Sequence, residues 1–435
     1  MSREFDLVIF GATGFTGFFV VRELLLSIKN DPKKFEHIKW AVAGRNTVKL
    51  TDKLVEVGDE LNQDLSSITK IIADVMSPES LLEMAKRTSL VINCVGPYYL
   101  YGRSVVEACI QAETHHIDIS GEPNYIESMI LEFHQKALEK NLIIVSTCGW
   151  DSIPCDIGVQ FAKNEFKGRL HSVESYLQVM PGINGYSINF GTLASIIYGY
   201  KHMRDLKQIR GRLFTEIFIK KLPRSRITLE RKKMPFSHPS IKGWNVEFPG
   251  SDRSVVKRTQ HFNYENFNEY PLQIQTYYTV ANLKHLLGLI WFGAVIATLT
   301  MTDFGCRLLS AYPKFFSFGK FSKQGPSREQ IESTKFQTII FGKGWSQETI
   351  ESNGVNDMID EPKEEPNQQI IVKVSGPDPG YMATSICIVQ SALTIFLESD
   401  KIRKGVLSPA SAFRNTDLIK RLQSRNLKFE IVPET

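Results

Sequence analysis

The stretch "VIFGATGFTGFFVVREL", Val8 to Leu24, constrains the fold more than any other. A short apolar run ends at Phe10, glycines follow at Gly11, Gly14 and Gly17, and an apolar helical pattern begins at once. A strand, a G-x-x-G-x-x-G turn and a helix form a variant of the dinucleotide-binding fingerprint. Gly11 permits the tight turn. Gly14 lets the backbone approach a pyrophosphate, and Gly17 lets the helix pack closely on the strand. The helix N-terminus then offers free N–H groups to the phosphates. Ala12, Thr13, Phe15 and Thr16, which lie between the glycines, are therefore expected cofactor contacts too.

The context makes this pattern specific. Further apolar runs predict strands at Ile38 to Gly44, Ile68 to Asp74, Ser89 to Gly96, Thr114 to Ser120 and Asn141 to Thr147. Helical segments are expected between them, at 47–62, 78–87, 103–112 and 123–139. Six strands alternating with helices predict an α/β fold with a doubly wound parallel sheet, a Rossmann domain. No internal repeat is visible. The chain has 435 residues, enough for two or three domains. Its 42% hydrophobic and 23% charged residues are those of a globular protein. A net charge of +5 is too small to imply nucleic-acid binding by the whole chain. The six cysteines form no CxxC and no zinc spacing, which suits a reducing compartment and predicts no metal site. "MSREFDLVIF" enters a strand at once, so no signal or transit peptide is expected.

The strand ends choose the cofactor. An NAD site usually has an acid at the end of the second strand, whereas here "VAGRNT" offers Arg45. A guanidinium there favours the 2′-phosphate of NADP. Asp74, at the end of the third strand, either accepts from the adenine amino group or caps the next helix, as Ser77 also can. Asn93, Gly96 and Pro97, at the end of the fourth strand, are expected beside the nicotinamide ribose. Catalysis is less legible. No Ser-x-x-x-Tyr-x-x-x-Lys arrangement occurs. Asp151 in "CGWDSIP" is read either as an acid/base group or as a helix cap ahead of Pro154. Tyr98 is read as a proton donor or as lining of the nicotinamide pocket. His116 reads as a core histidine.

These residues resemble a known family. "GATGFTG", "AGR", "NCVGPYYLYG", "HIDISGE" and "GWDSIPCDIG" occur in this order in saccharopine dehydrogenase-like oxidoreductases. "FPGSDRSVVKRTQ", "FFSFGKFSKQGP" and the C-terminal "GVLSPASAFRNTDLIKRL" are similar to that family as well. Relatives include saccharopine reductases of lysine metabolism and mycobacterial trans-acting enoyl reductases of glycolipid synthesis. Animal members are associated with lipid droplets and other membranes. The resemblance implies a Rossmann domain over 1–152, a substrate or dimerisation domain over 153–378, and a segment 379–435 that returns to the first domain. The acidic stretch 352–369 is expected to be an exposed loop.

Two segments exceed what a soluble reductase needs. Leu286 to Thr302 has no charged residue for 17 positions. As a helix it spans roughly 25 Å, against a hydrocarbon core of roughly 30 Å. "AYPKFFSFGKFSK" follows, and aromatics mixed with lysines suit a membrane interface. The alternatives are a buried core helix or a homodimer interface. Lys201 to Met234 carries twelve basic and three acidic residues. Its first part reads as a basic amphipathic helix, lying either on anionic lipid or on its own domain. Saccharopine carries several carboxylates, so its reductase needs an arginine cluster in the cleft. The arginines here crowd a segment read as surface. The sequence therefore predicts an NADP-dependent oxidoreductase for a lipid-like substrate at a membrane or lipid-droplet surface. A mitochondrial or other membrane is a second location. A droplet protein that binds cofactor with little turnover and a soluble saccharopine-type reductase are the alternatives.

Overall fold

A computed structural model describes residues 3–355 and 360–433. The first half alternates as the apolar runs predict. β1 (Phe5–Phe10) leads through the glycine turn into α1 (Phe15–Asn30) and the short α2 (Pro32–Phe35). β2 (Trp40–Gly44), α3 (Thr47–Leu61), β3 (Thr69–Ile72) and α4 (Pro78–Lys86) follow. Next come β4 (Thr88–Asn93), α5 (Tyr98–Gln111), β5 (His115–Asp118), α6 (Pro123–Glu139), β6 (Ile143–Val145) and α7 (Ile153–Glu165).

The strands pair in parallel in the order β6-β5-β4-β1-β2-β3, so the strand order reverses between β1 and β4. Ligands of open α/β sheets sit at that reversal. Alternate residues of β1 explain the two covered faces. Leu7 and Ile9 join the core under α1, while Val8 and Phe10 pack against Leu81, Met84, Val105 and Cys109 of α4 and α5. Helix α5 begins at Tyr98, earlier than expected. The Glu122 carboxylate accepts from the amides of Tyr98 (2.9 Å) and Tyr99 (2.7 Å), a cap supplied from 24 residues away.

The second sheet is mixed. Its strands are β7 (Gly168–Met180), β9 (Phe236–His238), β10 (Ile241–Glu247), β11 (Gln273–Val280), β13 (Lys335–Ser346), β14 (Gln368–Pro377) and β16 (Lys428–Val432). They run in the order β16-β14-β13-β7-β11-β10-β9. Helix α7 and α10 (Asp252–Phe267) pack against this sheet and each other. The small ladder β8 (Ile188–Asn189) with β12 (Phe321–Ser322) sits apart, joined to α8 (Phe190–Lys201). The basic helix α9 (Asp205–Glu216) lies on α6 of the nucleotide domain, burying Leu213. That contact covers part of its apolar side, so it packs on its own chain, with Phe214 left exposed. Of the acidic stretch 352–369, positions 356–359 lie outside the described residues.

After β14, a π turn (Pro379–Ala383) opens α16 (Thr384–Glu398), which packs on α1. β15 (Gly405–Leu407) adds a seventh strand beside β6. Helices α17 (Pro409–Phe413) and α18 (Leu418–Ser424) then lead to β16, which pairs with β14 in the second sheet. The chain end thus belongs to both sheets. Pro379–Glu398 is long and apolar enough to cross a membrane, but most of it is buried inside the protein. Leu393 in α16 is fully buried. Leu393→Ala should cost about 2–5 kcal/mol in chemical denaturation. No loss of stability would mean that α16 is not core.

Candidate cofactor and active site

Gly11 has φ +92°, which a side chain rarely adopts. Its amide donates to the Ala43 carbonyl (2.9 Å), and its carbonyl accepts from the Gly14 amide (2.9 Å). A Cβ on Gly17 would stand 2.2 Å from the Gly11 carbonyl oxygen, so this helix start fits the turn only without a side chain. Gly14 is exposed and caps α1 without any side-chain bond. The first-turn amides of α1 therefore lack intrahelical acceptors, as a phosphate site requires. Ala12 is buried, and Thr13 and Thr16 are half-buried at the turn. The Phe15 ring is turned away, edge-on to Tyr381 at 4.6 Å, which leaves its amide to the ligand.

Arg45 stands exposed at the tip of β2, and its side chain has no ion-pair or hydrogen-bond partner among the described residues. Beside it Asn46 caps α3, accepting from the Lys49 amide at 3.0 Å. Asp74 accepts from the Met76 amide at 2.9 Å and shapes its own turn, while Ser77 caps α4. At the end of β4, Asn93 accepts from the Val95 amide at 3.0 Å, and its buried Nδ2 has no partner. Gly96 is exposed and Pro97 half-buried beyond it. Open amides, a lone guanidinium and an unsatisfied buried amide thus converge on the strand ends. This set fits a dinucleotide carrying a 2′-phosphate.

Tyr98 is not a proton donor. Its hydroxyl donates to the Asn93 carbonyl (3.0 Å), its ring packs on Tyr125, and it is buried. Burial pushes its phenol pKa well up. It holds the end of β4 from beneath. His116 is a fully buried core residue whose pKa burial lowers.

Asp151 is different. Ser152, not Asp151, occupies the cap position of α7. The Asp151 carboxyl lies between two glycines, where a Cβ on Gly121 would meet Oδ2 at 2.3 Å and one on Gly250 would meet Oδ1 at 2.7 Å. Oδ1 is buried without a partner. Burial raises its pKa to about 7, opposed by the amide and hydroxyl of Ser251. Ser251 also donates to the Asp151 carbonyl at 2.9 Å. The next residue, Asp252, is buried with one oxygen unpartnered, and burial and the Asp151 charge push its pKa well up. Burial therefore favours the protonated form of both adjoining acids, and Asp151 titrates near neutral pH. Asp252 was not found from sequence. Its one signal was "GSD" ahead of a helix, which reads as capping.

Residues 7–145 match the saccharopine dehydrogenase NADP binding domain. A human protein named saccharopine dehydrogenase-like oxidoreductase is 40% identical over 436 residues, covering 99% of this chain and 98% of its own. The chain belongs to the saccharopine dehydrogenase-like oxidoreductase family. It is an NADP-binding oxidoreductase. A Caenorhabditis elegans relative named lipid droplet localized protein is 36% identical over 442 residues, covering 100% of this chain and 99% of its own. Apo saccharopine dehydrogenase (L-Glu forming) of Saccharomyces cerevisiae shares the fold, with TM-score 0.53 and 13% identity, over 99% of this chain and 100% of that one. NADPH should bind more tightly than NADH, and Arg45→Glu should remove most of that preference in fluorescence titrations. Equal affinities in the unmodified protein would refute the role given to Arg45.

Proposed function

We propose that this protein reduces a lipid-like substrate with NADPH while seated on a membrane or lipid-droplet surface. The exposure of one apolar helix carries this reading. α11 (Leu283–Leu299) is followed by α12 (Asp303–Ala311) and α13 (Pro313–Phe316). Its inner stripe, Phe292, Val295, Ile296 and Leu299, packs with Leu193 and Ile197 of α8. Its outer stripe, Leu283, Leu287, Ile290 and Trp291, is exposed. Met301, Phe304, Phe315 and Phe318 are exposed beyond it, Phe315 to 76%. Lys284, Lys314 and Lys320 are exposed among them. Apolar surface on this scale, rimmed by lysines, suits the headgroup boundary. The lipid-droplet name of the worm relative supports the same location.

Bound NADPH supplies a hydride. The amides at Gly14 to Gly17 would hold the pyrophosphate, Arg45 the 2′-phosphate, and Asn93 the nicotinamide half. Asp151, brought by burial to titrate near neutral pH, supplies the proton that completes a reduction and takes it back in the reverse direction. One observation favours a cofactor-binding droplet protein with little turnover. A cavity of about 360 Å³ lies among His171, Arg224, Tyr270, Gln273 and Glu361. Asp151 is not among the residues that line it.

The carboxyl of Asp151 can be tested without a substrate. Its folded pKa of about 7 lies above its ordinary 3.8, so the folded state binds the extra proton between these values. Stability contributed by the neutral form is complete below the lower value and is lost as pH rises to the upper one. Asp151→Asn cannot ionise. Its melting temperature should rise relative to the unmodified protein from about pH 4 to about pH 7, then hold a constant offset. A pH-independent offset would show an ordinary carboxylate.

Location is tested on the outer stripe. Leu287→Ser, Ile290→Ser and Trp291→Ser together should move the protein from the membrane or droplet fraction to the soluble one, with NADPH binding intact. Retention on lipid would remove α11 as the anchor.

A further inference from the structure

Residues of α9 and α10 meet at Glu127 of α6, which brings basic residues together. Glu127 of α6 accepts from Arg210 of α9 (2.9 and 3.0 Å) and from Arg258 of α10 (2.7 Å). Arg231, on the irregular strap that follows α9, pairs with Glu247 at 2.8 Å. Arg253 and Lys257 stand one turn apart on α10. Neither has an acidic partner: Arg253 makes one long bond to the Ile274 carbonyl (3.4 Å), and Lys257 makes none. Within ion-pair distance these five cations share two carboxylates, and Asp156 acts on Arg258 from further off. Partial burial and the charges of Arg253, Arg210 and Arg231 hold the Lys257 ammonium down at about 8. One turn on, His261 packs against Phe214 of α9 and Phe218 just beyond it.

Cations held together with too few counter-ions repel one another unless an anion lies among them. Two of them lack a carboxylate, which matches a doubly charged oxyanion. Arg supplies a planar fork and Lys a point charge, the usual pair for phosphate. We propose that Arg210, Arg231, Arg253 and Lys257 form a binding site for a phosphate monoester. The phosphate belongs either to a lipid headgroup or to a soluble phosphate ester. The site lies outside the glycine turn and rests on no assumption about the reaction.

The test uses protein saturated with NADPH, so that phosphate cannot report from the nucleotide site. Inorganic phosphate, against chloride at equal ionic strength, should raise the melting temperature and protect Lys257 from acetylation at pH near 8. In Arg253→Gln/Lys257→Gln both NADPH binding and fold should persist. Phosphate affinity should fall on the order of tenfold or more, the loss of charge-assisted contacts. Without phosphate this variant should melt at or above the unmodified protein, because repulsion is relieved. A purely structural role for the two cations would lower it. Phosphatidylcholine vesicles with and without phosphatidic acid separate the sources. A preference for phosphatidic acid that the variant loses assigns a headgroup. Phosphate binding with no such preference assigns a soluble ester. If the variant misfolds, protection of Lys257 in the unmodified protein decides. Unchanged acetylation with both probes, or a variant that binds both like the unmodified protein, overturns the site.

Discussion

One buried carboxylate organises the edge of the nucleotide sheet. Asp118, at the end of β5, accepts from the Tyr125 hydroxyl (2.8 Å), the Ser146 hydroxyl (3.0 Å), and the amides of Thr147 (3.1 Å) and Ser120 (2.9 Å). Its carbonyl accepts from the Cys148 amide at 2.7 Å. A fully buried charge is tolerated only with such a set of donors. These bonds join α6, the turn after β5 and the turn after β6. The first turn delivers Glu122 to the start of α5, which fixes Asn93 to Pro97. The second delivers Asp151. Both walls of the candidate site hang on Asp118.

This dependence explains what the sequence could and could not show. β1, the glycine turn and α1 are encoded locally, by apolar runs and by glycines that pack against their own turn. The start of α5 is not, because Glu122 caps it from another loop. Tyr98 was read as facing a ligand since it follows a strand end, yet its hydroxyl bonds inward to Asn93. The acid pair of Asp151 and Asp252 joins positions about 100 residues apart, beyond the reach of any local pattern. The helical pattern over 201–217 did carry an apolar face, but only the fold shows α6 covering it.

Helix α11 is the opposite case. Its composition was plain, but a helix apolar on all sides is compatible with a core, an interface or a lipid. Two of its residues, Leu286 and Ile296, are fully buried, and one stripe packs on α8. The other stripe has no protein cover in the monomer. With 17 residues it lies along the protein's surface beside α12 and α13 rather than standing clear of it. A helix tied down on one side can enter a single leaflet or a droplet monolayer without leaving its domain. That geometry needs no second aqueous face.

Several buried acids besides Asp252 have raised pKa values, and their surroundings separate structure from chemistry. Asp156, at about 6, accepts from Thr259 (2.8 and 3.0 Å) and from the Ala410 amide (2.8 Å), so it knits α7 to α10 and to the C-terminal segment. Asp378, also at about 6, accepts from the Tyr381 amide (2.8 Å) and opens the π turn, and its Oδ2 is likewise buried without a partner. Each has work within the fold. Asp151 has an oxygen without a partner, two glycines that leave room for nothing larger beside it, and a second acid next to it. A buried polar atom left unsatisfied costs about 1–3 kcal/mol. The fold carries that cost at the carboxyl end of the parallel sheet, where ligands of this architecture bind, and this placement supports the proton-exchange role proposed for Asp151.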